Sequence, residues 1–449
     1  MVNPQNHRVD RTESLCPVCL ERISADVIVR GNSVLLIKEC VEHGSFECPH
    51  AWDNPAVYSR MMLLGERLVK DGVKDATISV TRMCNMSCPF CFDTARDDPK
   101  MEAILERAAF SGAGNILLYG GEPTERKDLP QIVKGLKSKG FGVVLLTNGL
   151  NIGPGLVSDL KMAGLDGVLL QLDSLDDKIN VRLRGLPIAK RKIRAVEALK
   201  GSGIWVSFFV VLVKGEHIRQ IQDIIPFAAK NSAIVRSVIF TLISPEGKTG
   251  FPREYVSNAE LFEATKTAGF SLDDFLVCTE FEVSLSRFLS KIRVPRKTIA
   301  LCELVCYAYS DGSKAVPLGR LIDMRKLKEA LDRSNSIPSL LWNLFMAQPR
   351  FDWRLALMLW KLPHRVLYSK IMMKPFYDKF DGVFAVVFNP TQNRYNADYR
   401  LLASCNLYSD FKGEFMTFCE QNILSSGVRD IGSLDFKGHV RSIFKGPFQ

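Results

Sequence analysis

The chain has 449 residues, 47% of them apolar, with twelve cysteines and a formal net charge of +10. That length accommodates two or three domains with ample core, and no stretch reaches the roughly 18 uninterrupted apolar residues of a membrane span. The amino-terminal stretch 1–15 is polar and lacks the apolar core of a signal sequence, so the chain is expected to stay in the cytoplasm. There thiols stay reduced, and clustered cysteines point to metal before disulfides. The positive charge suits nucleic acid, an anionic membrane or an acidic substrate alike, and does not choose among them.

In chain order, residues 1–72 read as a small metal-bound module. Cys16-Pro-Val-Cys19 and Cys40-Val-Glu-His43 are two knuckles separated by strand-like runs at 26–30 and 33–39, which meet at the turn Gly31-Asn32. Facing knuckles make a tetrahedral site, and a module this short needs its metal to fold. Zinc fits, with rubredoxin-like iron as the alternative. His43 is the expected fourth ligand on spacing, and Cys48 is the other candidate. His7 and His50 have no partner in the pattern and read as surface residues.

Residues 73–272 alternate strand and helix. Strands are expected at 76–80, 115–119, 142–147, 167–172, 204–213 and 235–242, and helices at 127–139, 156–163, 190–200 and 218–230. The strands are continuously apolar, as parallel strands covered on both faces are. The expected fold is α/β, a partial (β/α)6 TIM-type barrel, which binds ligands at the carboxyl ends of its strands.

The unusual residues lie at those ends. Directly after the first strand comes Thr81-Arg-Met-Cys84-Asn-Met-Ser-Cys88-Pro-Phe-Cys91, with three cysteines spaced CxxxCxxC. Three thiolates hold three irons of a cubane cluster and leave the fourth open to a ligand. A zinc knuckle would need a fourth cysteine nearby, and none follows until Cys278. This loop, with its aromatic Phe90, resembles the signature of the radical S-adenosylmethionine (SAM) superfamily. The resemblance implies a [4Fe-4S] cluster that binds SAM and cleaves it reductively. It also implies that Gly120-Gly121-Glu122-Pro123, after the second strand, contacts the SAM amino group. Asn148, Asp173 and Ser174, after the third and fourth strands, are candidates for the ribose and the methionine carboxylate. Arg184 is a candidate for that carboxylate, and Ser244, after the sixth strand, lies where adenine is expected.

Residues 273–449 read as an α+β domain with a second cysteine set. Cys302, Cys306, Cys405 and Cys419 suffice for a closed auxiliary [4Fe-4S] cluster, with Cys278 as an exchangeable ligand or a buried thiol. The amino-terminal knuckles, the barrel, Cys302-x-x-x-Cys306 with Val316-Pro-Leu, and Cys419 before Asn422 together resemble the archaeal tetraether lipid synthases and the dihydro-hydroxymethylpterin methyltransferases. That resemblance implies hydrogen abstraction from an unactivated carbon, in lipid modification first and in alkylation of a pterin or other small polar substrate as the alternative. A non-catalytic iron-sulfur or zinc scaffold is the third reading. A segment at 353–377 carries Arg354, Lys361, Arg365, Lys370 and Lys374 and no acid, which suits either an anionic bilayer or a solvated helix pair. The expected partners are a low-potential electron donor (ferredoxin or flavodoxin), a lipid or small-molecule substrate and peripheral membrane contact. No nucleic-acid motif appears.

Overall fold

A computed structural model of the chain describes residues 7–65, 75–91, 97–244, 256–294, 300–347, 382–411 and 414–427. The basic segment 353–377 and Pro245 lie outside these residues. Four strands form the amino-terminal sheet in the order β1-β2-β3-β4: β1 (His7–Leu15), β2 (Arg22–Arg30), β3 (Ser33–Cys40) and β4 (Gly44–Pro49). The β2-β3 turn needs a left-handed residue, and Gly31 supplies it at φ 59°. Alternation along β3 puts Val34, Leu36, Lys38 and Cys40 on the buried face.

The second sheet holds eleven described strands. Its centre is the expected barrel: β5 (Asp75–Ser79), β6 (Asn115–Tyr119), β7 (Gly142–Thr147), β8 (Gly167–Gln171), β9 (Trp205–Leu212) and β10 (Val235–Leu242), all parallel and in chain order. Helices pack on it by apolar stripes. In the helix Leu129–Ser138 the buried residues are Leu129, Ile132, Val133 and Leu136, one face of a 3.6-residue period.

The carboxyl-terminal strands do not form a separate layer. β13 (Val383–Asn389) runs parallel to β10, and β11 (Leu304–Ser310) lies antiparallel outside it, followed by β12 (Ala315–Pro317). At the other edge β14 (Leu407–Phe411) runs parallel to β5, with β15 (Glu414–Thr417) outside. The sheet therefore crosses the boundary expected at 272/273. The reason is physical: β13 is apolar on both faces, and joining the barrel sheet places it under flanking helices, whose Phe262 and Phe275 pack on Phe388. The helix Leu272–Lys291 covers the exposed edge of β11, where Thr279 Oγ1 accepts from Val305 N at 2.9 Å. The loops beside the two edges meet where Leu301 N donates to Ser404 Oγ at 2.8 Å.

The amino-terminal sheet docks onto these additions through buried polar groups. Lys38 is 2% exposed, and its Nζ donates to Ser14 Oγ at 3.1 Å, Arg394 O at 3.2 Å and Tyr395 O at 2.9 Å. Burial pulls its pKa down to about 8, against the opposing pull of the Cys48 and Cys16 thiols. His50, expected at the surface, is fully buried. Its Nδ1 accepts from Trp52 N at 2.9 Å and its Nε2 lies 3.1 Å from Asp398 Oδ2. Asp398 also accepts from Thr12 Oγ1 at 2.7 Å and Arg400 Nη2 at 2.6 Å.

Burial alone would raise the Asp398 carboxyl, but the bonds from His50 and Arg400 hold it well below the usual carboxylate range. A depressed folded pKa stabilises above the unfolded value of about 3.9, and that contribution is lost as the pH falls below it. Asp398→Ala leaves buried donors unpaired and is expected to destabilise the protein by about 3–5 kcal/mol, measurable by denaturant unfolding. An unchanged midpoint would show that the network does not hold the two sheets together.

Candidate functional site

The cysteine loop leaves the carboxyl end of β5 and is pinned before it reaches its first thiol. Asp98 Oδ2 accepts from Arg82 Nε at 3.0 Å, and Arg126 Nη1 donates to Val80 O and Pro99 O, both at 2.7 Å. Gly121 N donates to Thr81 O and Glu122 N to Met83 O, both at 2.7 Å, so the end of β6 continues the ladder onto the loop. The two glycines are required by this approach. A Cβ on Gly121 would stand 2.1 Å from Met83 O, and one on Gly120 would stand 2.4 Å from Thr81 O, where φ is also +136°. Gly121→Ala is therefore expected to push the loop off its seat and cut iron retention several-fold while the secondary structure persists, which iron assay beside circular dichroism would reveal.

Along the loop Cys84 is exposed, Cys91 half-buried and Cys88 buried. Local crowding pushes the Cys84 thiol up to about 11, and Glu122, Cys88 and Cys91 add to the rise. The three thiols thus lie within electrostatic range of one another on a single loop. The chemistry of the donor set, three thiols on one loop with the Cys84 side exposed, is compatible with a cluster that takes one ligand from each.

Around the loop stand the strand ends. Glu122 is 1% exposed; its Oε1 accepts from Thr147 Oγ1 at 2.6 Å and Thr124 N at 3.1 Å, and its Oε2 from Asn148 N at 2.7 Å. Pro123 opens a short 3-10 turn capped by Glu122. The Asn148 side chain donates to Asn85 Oδ1 at 2.7 Å, joining the end of β7 to the cysteine loop. Asp173 Oδ1 accepts from Val211 N at 3.0 Å and Oδ2 from Arg184 Nε at 2.6 Å. Burial opposes both charges, yet the pair sustains them: Asp173 is held below the usual carboxylate range and Arg184 stays charged. The Arg184 guanidinium lies 4.3 Å from the Phe90 ring centre and within electrostatic range of the Cys88 thiol.

Ser174 turns inward, donating to Gln220 Oε1 at 2.7 Å. Ser244 follows β10 at the same end, half-buried. Two buried groups that sequence reasoning missed are His217, whose Nε2 lies 2.8 Å from Asp173 O, and Lys192. A lone histidine and one lysine in a basic helix carry no local signal; only the fold turns them inward.

The amino-terminal metal set is gathered as a site. The donor atoms of Cys16, Cys19, Cys40 and His43 all lie within 4.8 Å of one another. Cys19 and Cys40 Sγ are 3.8 Å apart, Cys40 Sγ and His43 Nδ1 3.4 Å, and Cys16 Sγ and His43 Nδ1 3.7 Å. A tetrahedron with bonds of about 2.3 Å has corners about 3.8 Å apart, so these donors fit zinc. His43 lowers the Cys40 thiol to about 7, which prepares it to bind metal near neutral pH. Cys48 stands outside the set: β4 register pairs it with Leu36 and turns it into the core beside Lys38.

The carboxyl-terminal cysteines divide differently from the expected four. Burial first, then Cys405 and Cys419, raise the Cys302 thiol, and Cys419 is pushed up to about 12 by burial and Cys405. Cys302 and Cys405 directly follow Leu301 and Ser404, whose bond joins the loops beside the two sheet edges, and Cys419 lies within electrostatic range of both. Cys306 is on β11, buried; its thiol donates to Tyr307 O at 3.5 Å and lies within electrostatic range of Cys278 on the helix Leu272–Lys291. Cys302 precedes the strand while Cys306 lies within it, so the two thiols of this spacing sit in different settings.

Among the described residues no helix is long and apolar enough to cross a membrane. Comparison with known proteins finds the radical SAM superfamily pattern over residues 78–228 and the HMPTM N-terminal zinc ribbon domain over residues 8–51. The chain is 30% identical over 364 residues to a 7,8-dihydro-6-hydroxymethylpterin dimethyltransferase of Methanocaldococcus jannaschii, covering 71% of this chain and 72% of that protein. It is 31% identical over 173 residues to a probable GTP 3',8-cyclase of Pyrococcus abyssi, covering 37% of this chain and 56% of that one. Among solved structures, Streptococcus suis SuiB bound to S-adenosylmethionine matches with a TM-score of 0.37 at 21% identity, over 44% of this chain and 47% of that chain.

Proposed function

On the premise that this chain belongs to the radical SAM superfamily and to the family carrying the HMPTM zinc ribbon, we propose that it methylates or otherwise alkylates an unactivated carbon. The [4Fe-4S] cluster of this superfamily, once reduced by an electron donor, supplies the electron that splits SAM into methionine and a 5'-deoxyadenosyl radical. The observation that carries the reading is the three-thiol loop seated under Gly120 and Gly121 at the barrel's ligand-binding end.

Cys84, Cys88 and Cys91 hold three irons. The backbone at Gly120, Gly121, Glu122 and Pro123 receives the SAM amino group. Arg184, already held by Asp173, offers its remaining N–H groups to the carboxylate. Asn148, Asp173 and Ser174 border the ribose, and Ser244 the adenine, with Phe90 packed beside them. Cys302, Cys405 and Cys419 would hold three irons of an auxiliary [4Fe-4S] cluster and leave its fourth to another ligand. Cys16, Cys19, Cys40 and His43 hold zinc, which stabilises the amino-terminal sheet.

A small polar substrate of the pterin class is supported by the relative whose name records one, because that match extends well beyond the barrel. Lipid modification is supported by a different observation, the acid-free basic run at 353–377. Anaerobic incubation of the reduced protein with SAM and 7,8-dihydro-6-hydroxymethylpterin should give a methylated pterin. No pterin turnover, together with an altered lipid extract in cells that carry the gene, would replace the first reading by the second.

A further inference from the structure

Lys192 is 1% exposed, on the first turn of the helix Ala189–Leu199, and its side chain enters the floor of the strand-end site. Its Nζ donates to the carbonyl of Asn148, to Gln171 O at 2.8 Å and to Gln171 Oε1 at 2.7 Å. Burying an ammonium is costly even after relaxation, and no carboxylate is bonded to it here among the described residues. Burial, helped by the nearby Arg184 charge, lowers its pKa to about 7, while Asp173 and Glu122 favour its charge from further off. An apolar residue would pack at this position without that cost but would leave three oxygens unpaired.

Two chains of contact run from Lys192 to the cysteine loop. The first passes through Asn148, whose peptide is held at its carbonyl by Lys192 and at its N–H by Glu122, and whose side chain donates to Asn85, between Cys84 and Cys88. The second passes through the Gln171 amide. Its oxygen accepts from Lys192, so its nitrogen is turned to donate to Asp173, which holds Arg184 over Phe90 and beside Cys88.

We propose that Lys192 is a positioning residue for the site: it fixes the ends of β7 and β8 and, through Asn148 on one side and Gln171, Asp173 and Arg184 on the other, sets the cysteine loop for cluster and SAM. The proposal rests on the function given above. The Lys192 ammonium also lies within electrostatic range of Cys88 on the loop, and a nearby positive charge favours the reduced cluster over the oxidised one.

The test is Lys192→Gln, which keeps N–H donors but removes the charge, compared with wild type after cluster reconstitution. SAM binding by equilibrium dialysis should weaken about tenfold, the effect of losing charge-assisted hydrogen bonds. The cluster's midpoint potential should fall, and its electron paramagnetic resonance response to SAM should change, while zinc content and circular dichroism stay at wild-type values. Wild-type affinity and potential in the variant would overturn the role of Lys192. So would loss of zinc and secondary structure, which would make it a residue of the fold and not of the site. Wild-type protein that fails to bind SAM would instead sink the functional reading itself.

Discussion

Cys88→Ala should lose the iron of one cluster, about four atoms per chain, and form no 5'-deoxyadenosine above the assay background, while retaining its zinc. The effect is expected to be total because the loop offers only three thiols, and two thiolates cannot hold a cubane that also leaves one iron open. Cys88 is the most telling of the three. It is the buried one, and it lies near the Arg184 guanidinium that Asp173 holds over Phe90. Cys84→Ala and Cys91→Ala should lose the same iron. Zinc is retained because its four donors lie on the separate amino-terminal sheet. Undiminished deoxyadenosine formation in Cys88→Ala would remove the assignment of this loop.

Cys419→Ser and Cys306→Ser should behave oppositely, although both change a buried or half-buried carboxyl-terminal thiol. In a background with Cys84, Cys88 and Cys91 all replaced, about four irons should remain. Cys419→Ser should abolish them, since its thiol stands with Cys302 and Cys405 where the sheet edges meet. Cys306→Ser should keep them, because that thiol lies against Cys278 under a helix. Its cost is one of packing, a small apolar group made polar in a dry site. Equal iron loss in both variants would return Cys306 to the cluster. No iron in the parent background, with the protein shown to be folded, would remove the auxiliary cluster.

Much of the barrel was legible because local patterns dictate it. Apolar runs such as that of β9 and a 3.6-residue stripe such as Leu129, Ile132, Val133 and Leu136 need no distant partner to be recognised. The cysteine loop and the two glycines were legible for the same reason, being short spacings with few alternative uses. What was not legible depends on pairing across the chain. β1 is polar along most of its length and is a strand only because β2 pairs with it. The run of β13 reads as a strand anywhere, but nothing in it says that Ala385 will stand beside Ser237.

The same limit explains the site residues that shifted. Cys302 and Cys306 look like a pair by spacing, yet a strand begins between them and separates their directions. His50 looks solitary because Asp398, its partner, is 348 residues away. Cys48 and His43 are close rivals by spacing, and only the register of β4 against β3 turns one inward and leaves the other with the metal set. Lys192 is one cation in the run Lys190-Arg191-Lys192, and only helix phase selects it for burial.

The most direct test of the central claim is anaerobic incubation of the reconstituted wild-type protein with SAM and dithionite, followed by chromatography of the products. The account predicts 5'-deoxyadenosine and methionine in equal amounts, formed only with reductant and only when the cluster of Cys84, Cys88 and Cys91 is loaded. Loaded, folded protein that leaves SAM intact under these conditions would contradict it.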